Sequence, residues 1–536
     1  MRGHARNGWV LVFTACVAWG APGAEKNAKE APVAAKDLAR SPGNTAYYVD
    51  EKSGDDADPG TAPEKAWKSI ARANATAFAP GDRLLFAGGQ TFKGTLSFTK
   101  ASSGTKEKPV AVSSFGQGRA VIAGGAGSGL VLTDCAHVAV KELSFVGCGR
   151  KNDSDGTGVH LIRTKDVELD ALEASGFRNA GVATGGDENT RITHVYAHDN
   201  GFAGITTCGG YGDVPRTKNL YIGYCVAENN PGDPKKLDNH SGNGIVVGGL
   251  DGALIEYCEA MSNGWDMPRK GNGPVGIWGW GCDRLTIQFC IAHDNKSPGA
   301  DGGGFDFDGG VTNSVMQYNL SYNNVGCGYL LCQYPGATLW KNNIVRYNVS
   351  FNDGAKNFQA GIGLWIGAGQ FSDCLIHNNT VVNPWHAVSS MGSVPGFVYR
   401  NNVFVAGGDM LIGPYDKSRF ENNLYWRTGQ GVFQRDGKTV HQTLEDWSKA
   451  TGQEAVDGKP AGLWADPKLV LPEKDRKLPA DPRKVPEMTF FRLREGSPCV
   501  GAGMPIQDSG GRDLFGNCST GGRKPCLGAH EPGGVR

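Results

Sequence analysis

The chain has 536 residues, and its 80 Gly and 27 Pro make about a fifth of it helix-breaking, which argues against a mainly helical protein. Hydrophobic residues at 39% with 9% aromatics supply a large core and exclude global disorder, while Lys+Arg 54 against Asp+Glu 54 gives no case for a nucleic-acid partner. What remains is a turn-rich, β-rich chain.

Arg2, His4 and Arg6 precede an apolar run from Trp9 to Ala18 and then Gly20, Ala21, Gly23 and Ala24, so residues 1–24 read as an export signal. This predicts a secreted or periplasmic protein. Phe13-Thr14-Ala15-Cys16 offers the alternative of a lipid on Cys16, which would make an outer-surface lipoprotein. No second long apolar segment follows, so no transmembrane segment is expected. Residues 25–44, rich in Lys, Ala and Glu, read as a linker. Residues 45–125 are expected to form a cap and first coils, with a short helix near 64–74. Residues 126–430 carry the repeats, and 431–536 form a C-terminal extension packed on them, with a helix between the cap Thr443 and the stop Gly452. The 14 Cys become 13 after export, and Cys499, Cys518 and Cys526 are the expected place for a bridge.

One phrase recurs through the middle: Tyr196-Ala-His-Asp-Asn200, Cys225-Val-Ala-Glu-Asn-Asn230, Cys258-Glu-Ala-Met-Ser-Asn263, Cys290-Ile-Ala-His-Asp-Asn295, Asn319-Leu-Ser-Tyr-Asn-Asn324 and Asn348-Val-Ser-Phe-Asn-Asp353. Its marker residues 225, 258, 290, 319, 348, 379, 402 and 423 are 33, 32, 29, 29, 31, 23 and 21 residues apart. Units of that length without a helical pattern suit coils of three short strands. Equal positions stack in a solenoid, so Cys225, Cys258 and Cys290 followed by Asn319, Asn348, Asn379, Asn402 and Asn423 read as one inward ladder.

These features resemble the right-handed parallel β-helix, pectate-lyase-like superfamily of exported bacterial proteins. The opening (Tyr47-Tyr48-Val49, Asp58-Pro59-Gly60-Thr61, Trp67-Lys68-Ser69-Ile70, Pro80-Gly81-Asp82) is similar to the N-terminal cap of such proteins, and Gly496-Ser-Pro-Cys499 with Leu527-Gly-Ala529-His-Glu531 is similar to their closure. The resemblance implies an all-β solenoid with a cap and a closing tail. Its members include lyases, glycosidases, epimerases and binding proteins, so it implies no single activity.

Strands beginning with Gly follow each Asn turn: 204–208, 244–248, 276–280, 304–308, 328–332 and 363–367. Period two points their second and fourth residues after Gly outward, which places Trp278, Trp280, Asp306, Asp308 and Trp365 on one face. Flat rings suit sugar faces and carboxylates suit hydroxyls, so a polysaccharide is the expected partner of a monomer with no resident cofactor. In the first reading Asp306 and Asp308 are the acid and base of an inverting glycoside hydrolase, Asp301 assists, His240 is a candidate base, and Trp278, Trp280, Trp365, Arg269 and Lys270 bind substrate. In the second, Asp301, Asp306 and Asp308 hold Ca²⁺ in a lyase acting on a uronic-acid polymer, with a base sought among His240, Arg269 and Lys270. The third is a surface protein that binds polysaccharide without catalysis.

Overall fold

A computed structural model describes residues 38–211, 216–356, 359–473, 477–519 and 523–533. The export-signal reading, Cys16 included, and residues 25–37 of the linker reading lie outside the described residues. Residues 38–44 differ from a free linker, because Ala39–Arg40 pairs in parallel with Thr76–Ala77 and Tyr47 donates its hydroxyl to Ser41 Oγ at 2.8 Å.

The body is a stack of three-sided coils in which each strand pairs in parallel with its counterpart one coil later. The first face contains β1 (Ala203–Thr207), the starts of β2 (Asn243–Glu256) and β3 (Val275–Gln288), then β4 (Gly303–Phe307), β5 (Tyr329–Gln333), β6 (Ala360–Ile366) and β7 (His386–Ser390). β2 and β3 run on around the corner into the second face, which joins the two faces into one sheet of 26 strands among the described residues. The third face is a separate sheet, of 14 strands among the described residues. At that corner Gly249 (φ 60°) and Gly281 (φ 56°) adopt the left-handed conformation, where a side chain is strained.

Alternation explains the interior. Ile205, Ile245, Ile277, Phe305, Tyr329 and Ile362 stack in register and are buried in the core. The ladder forms as the spacing predicts. Asn348 Nδ2 donates to Asn379 Oδ1 (3.0 Å) and to Met316 O (2.9 Å), while its Oδ1 accepts from Asn319 N (2.9 Å) and Nδ2 (3.1 Å). The same pattern continues through Asn402 and Asn423 to Glu454, whose carboxyl accepts from Asn423 and from Tyr425 Oη and terminates the column. In earlier coils Cys225, Cys258 and Cys290 take the position, each thiol donating to the carbonyl two residues back at 3.2–3.3 Å. A second ladder, Asn200, Asn230, Asn263, Asn295, Asn324 and Asp353, closes the turn at the end of the repeated phrase.

The open first coil meets α1 (Ile70–Asn74), capped by Ser69 Oγ, shorter than the span expected from sequence because Pro63–Lys65 is a separate 3₁₀ turn. α2 (Leu444–Thr451) has the Thr443 cap and the left-handed Gly452 stop read from the sequence, and buries Trp447 against Phe420 and Phe433. The rest of the tail packs Phe491, Leu493, Leu514, Phe515 and Leu527 over Tyr318, Tyr347, Val349 and Val403 outside the third face. The expected tail bridge is corrected here: Cys499 and Cys526 stand as buried thiols.

Candidate active site

β-Pairing sets the floor of the site. The column Thr206, Val246, Trp278, Asp306, Leu330, Gly363 and Ser389 runs outward-facing across seven coils. Beside it Gly248 pairs with Trp280 and Cys332 with Trp365, and Asp308 stands between those pairs, its N–H bonded to Gly279 O at 2.8 Å and its carboxylate to the Cys332 thiol. The structure corrects one register. Tyr329 pairs with Ile362, so β6 is set two residues earlier than its Gly363 suggests, and Trp365 belongs to the Asp308 column rather than the Asp306 column. A shift of two keeps Trp365 on the outer face. Trp280 and Trp365 are therefore three strand spacings apart, about 14 Å, with Asp308 and Cys332 between them.

This outward face is only half open. Val246, Trp278 and His240 are 2%, 3% and 8% exposed and form, with Ala183, Ala203 and Phe202, an apolar patch outside the main core. Turns from successive coils roof it. Arg150 bonds Gly232 O at 2.8 Å and pairs with Asp266, Lys151 pairs with Asp266 at 2.9 Å, and Lys235 pairs with Asp153. Lys356 Nζ reaches back to Ser297 O at 2.8 Å, so these rim charges tie loops together. On the other side of the carboxylates the face opens: Leu330, Trp365, Ile366 and Ser389 are half-buried and Met391, next in the Trp365 column, is 63% exposed.

At this boundary sit three acids. Asp301, in a left-handed turn (φ 57°), accepts from Gly273 N at 2.7 Å, and Asp308 accepts from Gly309 N at 2.8 Å. Both are half-buried, whereas Asp306 is 3% exposed and its Oδ1 has no partner. Burial raises all three. It pushes Asp301 to about 6, helped by the charge of Asp308, and Asp308 to about 6; Asp306 is held well above the usual carboxylate range by burial and by Asp308 and Asp301. No cation contributes to any of these shifts.

These shifts carry a stability consequence. The unfolded carboxyls ionise near pH 4 while folded Asp301 and Asp308 ionise nearer pH 6 and Asp306 is held well above the usual range, so stability is full below about pH 4, falls as the pH rises past 6, and stays reduced above it. Asp306→Asn is accordingly expected to raise the melting temperature at pH 8 and to change it little at pH 4, as a thermal melt at both values would check.

His240 lies beside the floor, edge-on to Trp278 with ring centres 4.9 Å apart, and its Nδ1 meets Asn243 Nδ2 at 3.0 Å. Burial and then the charges of Arg269 and Lys236 lower its pKa to about 3, which makes it a neutral ring and a weak base. Arg269 is half-buried in the roof near it, and Lys270 is exposed on the outer rim. Trp280 packs edge-on to Tyr211 at 5.2 Å, and Tyr211 bonds Gly309 O at 2.7 Å, a wall the sequence reading did not include. Among the described residues no group of three or more His, Cys, Asp or Glu side chains converges as a metal-ligand set. No described helix is long and apolar enough to cross a membrane.

A family model described as the right-handed beta helix region matches residues 235–423, the coils that carry the site. The chain folds as a right-handed parallel β-helix. This β-helix protein is 24% identical over 618 aligned positions to a lacto-N-biosidase of Bifidobacterium longum, an alignment covering 91% of its own chain and 36% of the relative. It is 38% identical over 87 residues to an alpha-1,3-galactosidase A of Akkermansia muciniphila, covering 16% of its chain and 14% of the relative. The chain thus spans about a third or less of the length of these curated relatives. A GH136 lacto-N-biosidase structure from Eubacterium ramulus is 19% identical with a TM-score of 0.49, covering 73% of this chain and 67% of that one.

Proposed function

We propose that this β-helix protein is a carbohydrate-degrading glycoside hydrolase in which Asp301 and Asp308 carry the proton transfers. The observation behind the reading is the group of carboxyls, raised by burial and, in Asp301 and Asp306, also by neighbouring acids, at the line where a sealed aromatic patch gives way to an open face. Glycoside hydrolysis needs one carboxyl protonated for the leaving oxygen and one ionised to deliver water or to attack, and two acids titrating near pH 6 supply both states in one site. Acid and base must also reach the substrate. Asp301 and Asp308 do so more readily than the buried Asp306, which moves the pair from the 306/308 assignment of the sequence to 301/308.

The asymmetry of the face gives the substrate a direction. A sugar chain approaching over Met391, Trp365 and Leu330 stops where the roof covers Trp278, so a chain end lies across the acids, with Trp280 and Trp365 as stacking platforms on either side. The names of the curated relatives, a biosidase and a galactosidase, favour hydrolysis of neutral glycans over elimination on uronates. Polysaccharide is the partner under this reading, and export to the periplasm or beyond suits it.

The test is digestion of an aryl lacto-N-bioside, an aryl α-galactoside and a uronate polymer, with and without chelator, reading released aryl alcohol or reducing ends and ultraviolet absorbance. Release from a glycoside without new absorbance and insensitive to chelator is the expected result. Absorbance from the uronate polymer that disappears with chelator would replace hydrolysis by elimination, and no turnover of any member would leave a binding protein.

A further inference from the structure

An acid and base pair needs two carboxyls, and this floor has three. Asp306 differs from the other two in its setting. It occupies the middle of β4 between Trp278 on one side and Leu330 on the other, it is 3% exposed, and its Oδ1 is sealed from solvent without a hydrogen-bond partner. Asp301 and Asp308 each accept a backbone N–H and reach the surface. The titratable groups facing Asp306 are Asp301 from the turn before β4, Asp308 from the end of β4, and Cys327 and Cys332 from the next coil; none of them is a cation.

We propose that Asp306 is a neutral substrate-binding group that keeps its proton through the reaction and donates it in a hydrogen bond to a sugar hydroxyl or carbonyl oxygen. This rests on the hydrolase reading and deepens it. A carboxylate at this position would be buried beside two other acids with no donor to hold its charge, which is costly. A carboxylic acid there has one O–H to give and needs no counter-charge. Burial together with Asp308 and Asp301 holds the Asp306 carboxyl well above the usual range, in keeping with that state. The Trp278 indole, already bonded through Nε1 to Asn243 Oδ1 at 3.1 Å, has no N–H left for a ligand, so Asp306 is the donor the floor of its column offers at the closed end. A sugar lacking the matching acceptor would leave a buried O–H unpaired, which is how such a contact discriminates.

Two measurements test it. In the protein labelled with ¹³C at aspartate carboxyls, the resonance lost in Asp306→Asn should hold its protonated position from about pH 5 to about pH 8; titration inside that window would overturn the proposal without any substrate. On whichever aryl glycoside of the panel is cleaved, Asp306→Asn, which keeps an uncharged donor, should retain kcat/KM within about tenfold and the wild-type pH profile, while Asp306→Leu should lose about 10²–10⁴. Loss in Asp306→Asn as deep as in Asp308→Asn, or full activity in Asp306→Leu, would contradict it. Unimpaired turnover in both Asp301→Asn and Asp308→Asn would instead bring down the hydrolase reading. A thermal melt of each variant separates misfolding from these outcomes.

Discussion

Replacing Asp308 by Asn is expected to lower kcat by about 10²–10⁴ while leaving the β-helix folded, and Asp301→Asn should do the same. Both side chains are neutral in the variants, so the desolvation that raises their carboxyls to about 6 no longer opposes folding above that pH. The melting temperature at pH 8 should therefore be unchanged or higher as activity disappears. That combination is characteristic of groups held in an unfavourable state for function. A variant that loses activity together with stability would assign Asp301 to holding the Gly273 turn, through its 2.7 Å bond, rather than to chemistry.

The second large effect lies in the ladder. Asn348→Ala should destabilise the protein by about 3–5 kcal/mol, because four buried hydrogen bonds end on that amide and their partners in the coils before and after would be left unsatisfied. Cys258→Ala, in the same column, should cost only about 1–2 kcal/mol, since a thiol makes weaker bonds and leaves less unsatisfied. Denaturant unfolding of the two variants checks the contrast; equal costs would mean that stacking alone, without the amide network, holds the column.

Much of this was legible in the chain because a solenoid repeats its constraints. The Cys and Asn markers fix the length of each coil, and period two then assigns inside and outside, so Phe305 and Asp306 fall on opposite faces without further information. The ends were legible from Thr443 and Gly452 for the same local reasons. The register of β6 was not, since Gly361 and Gly363 offer two equivalent starts and only pairing with β5 selects the first. The roof was not legible either. It is made by loop residues such as Arg150 and Asp266, 116 positions apart, whose pairing no repeat encodes, and it turns Trp278 from an expected surface platform into a buried wall. The tail thiols Cys499 and Cys526, close in sequence terms and near the expected bridge, are placed by packing against the third face rather than by each other.

The pH–rate profile of the wild-type protein on a cleaved aryl glycoside tests the central claim most directly. The acid must be protonated and its partner ionised; below about pH 5 the partner is protonated and above about pH 7 the acid is ionised, so two groups near 6 give a bell with its maximum near pH 6. That bell, unchanged by chelator, is the expected result. Activity that climbs steadily to pH 9 would contradict it, because it would assign proton transfer to a basic side chain outside the aspartate floor.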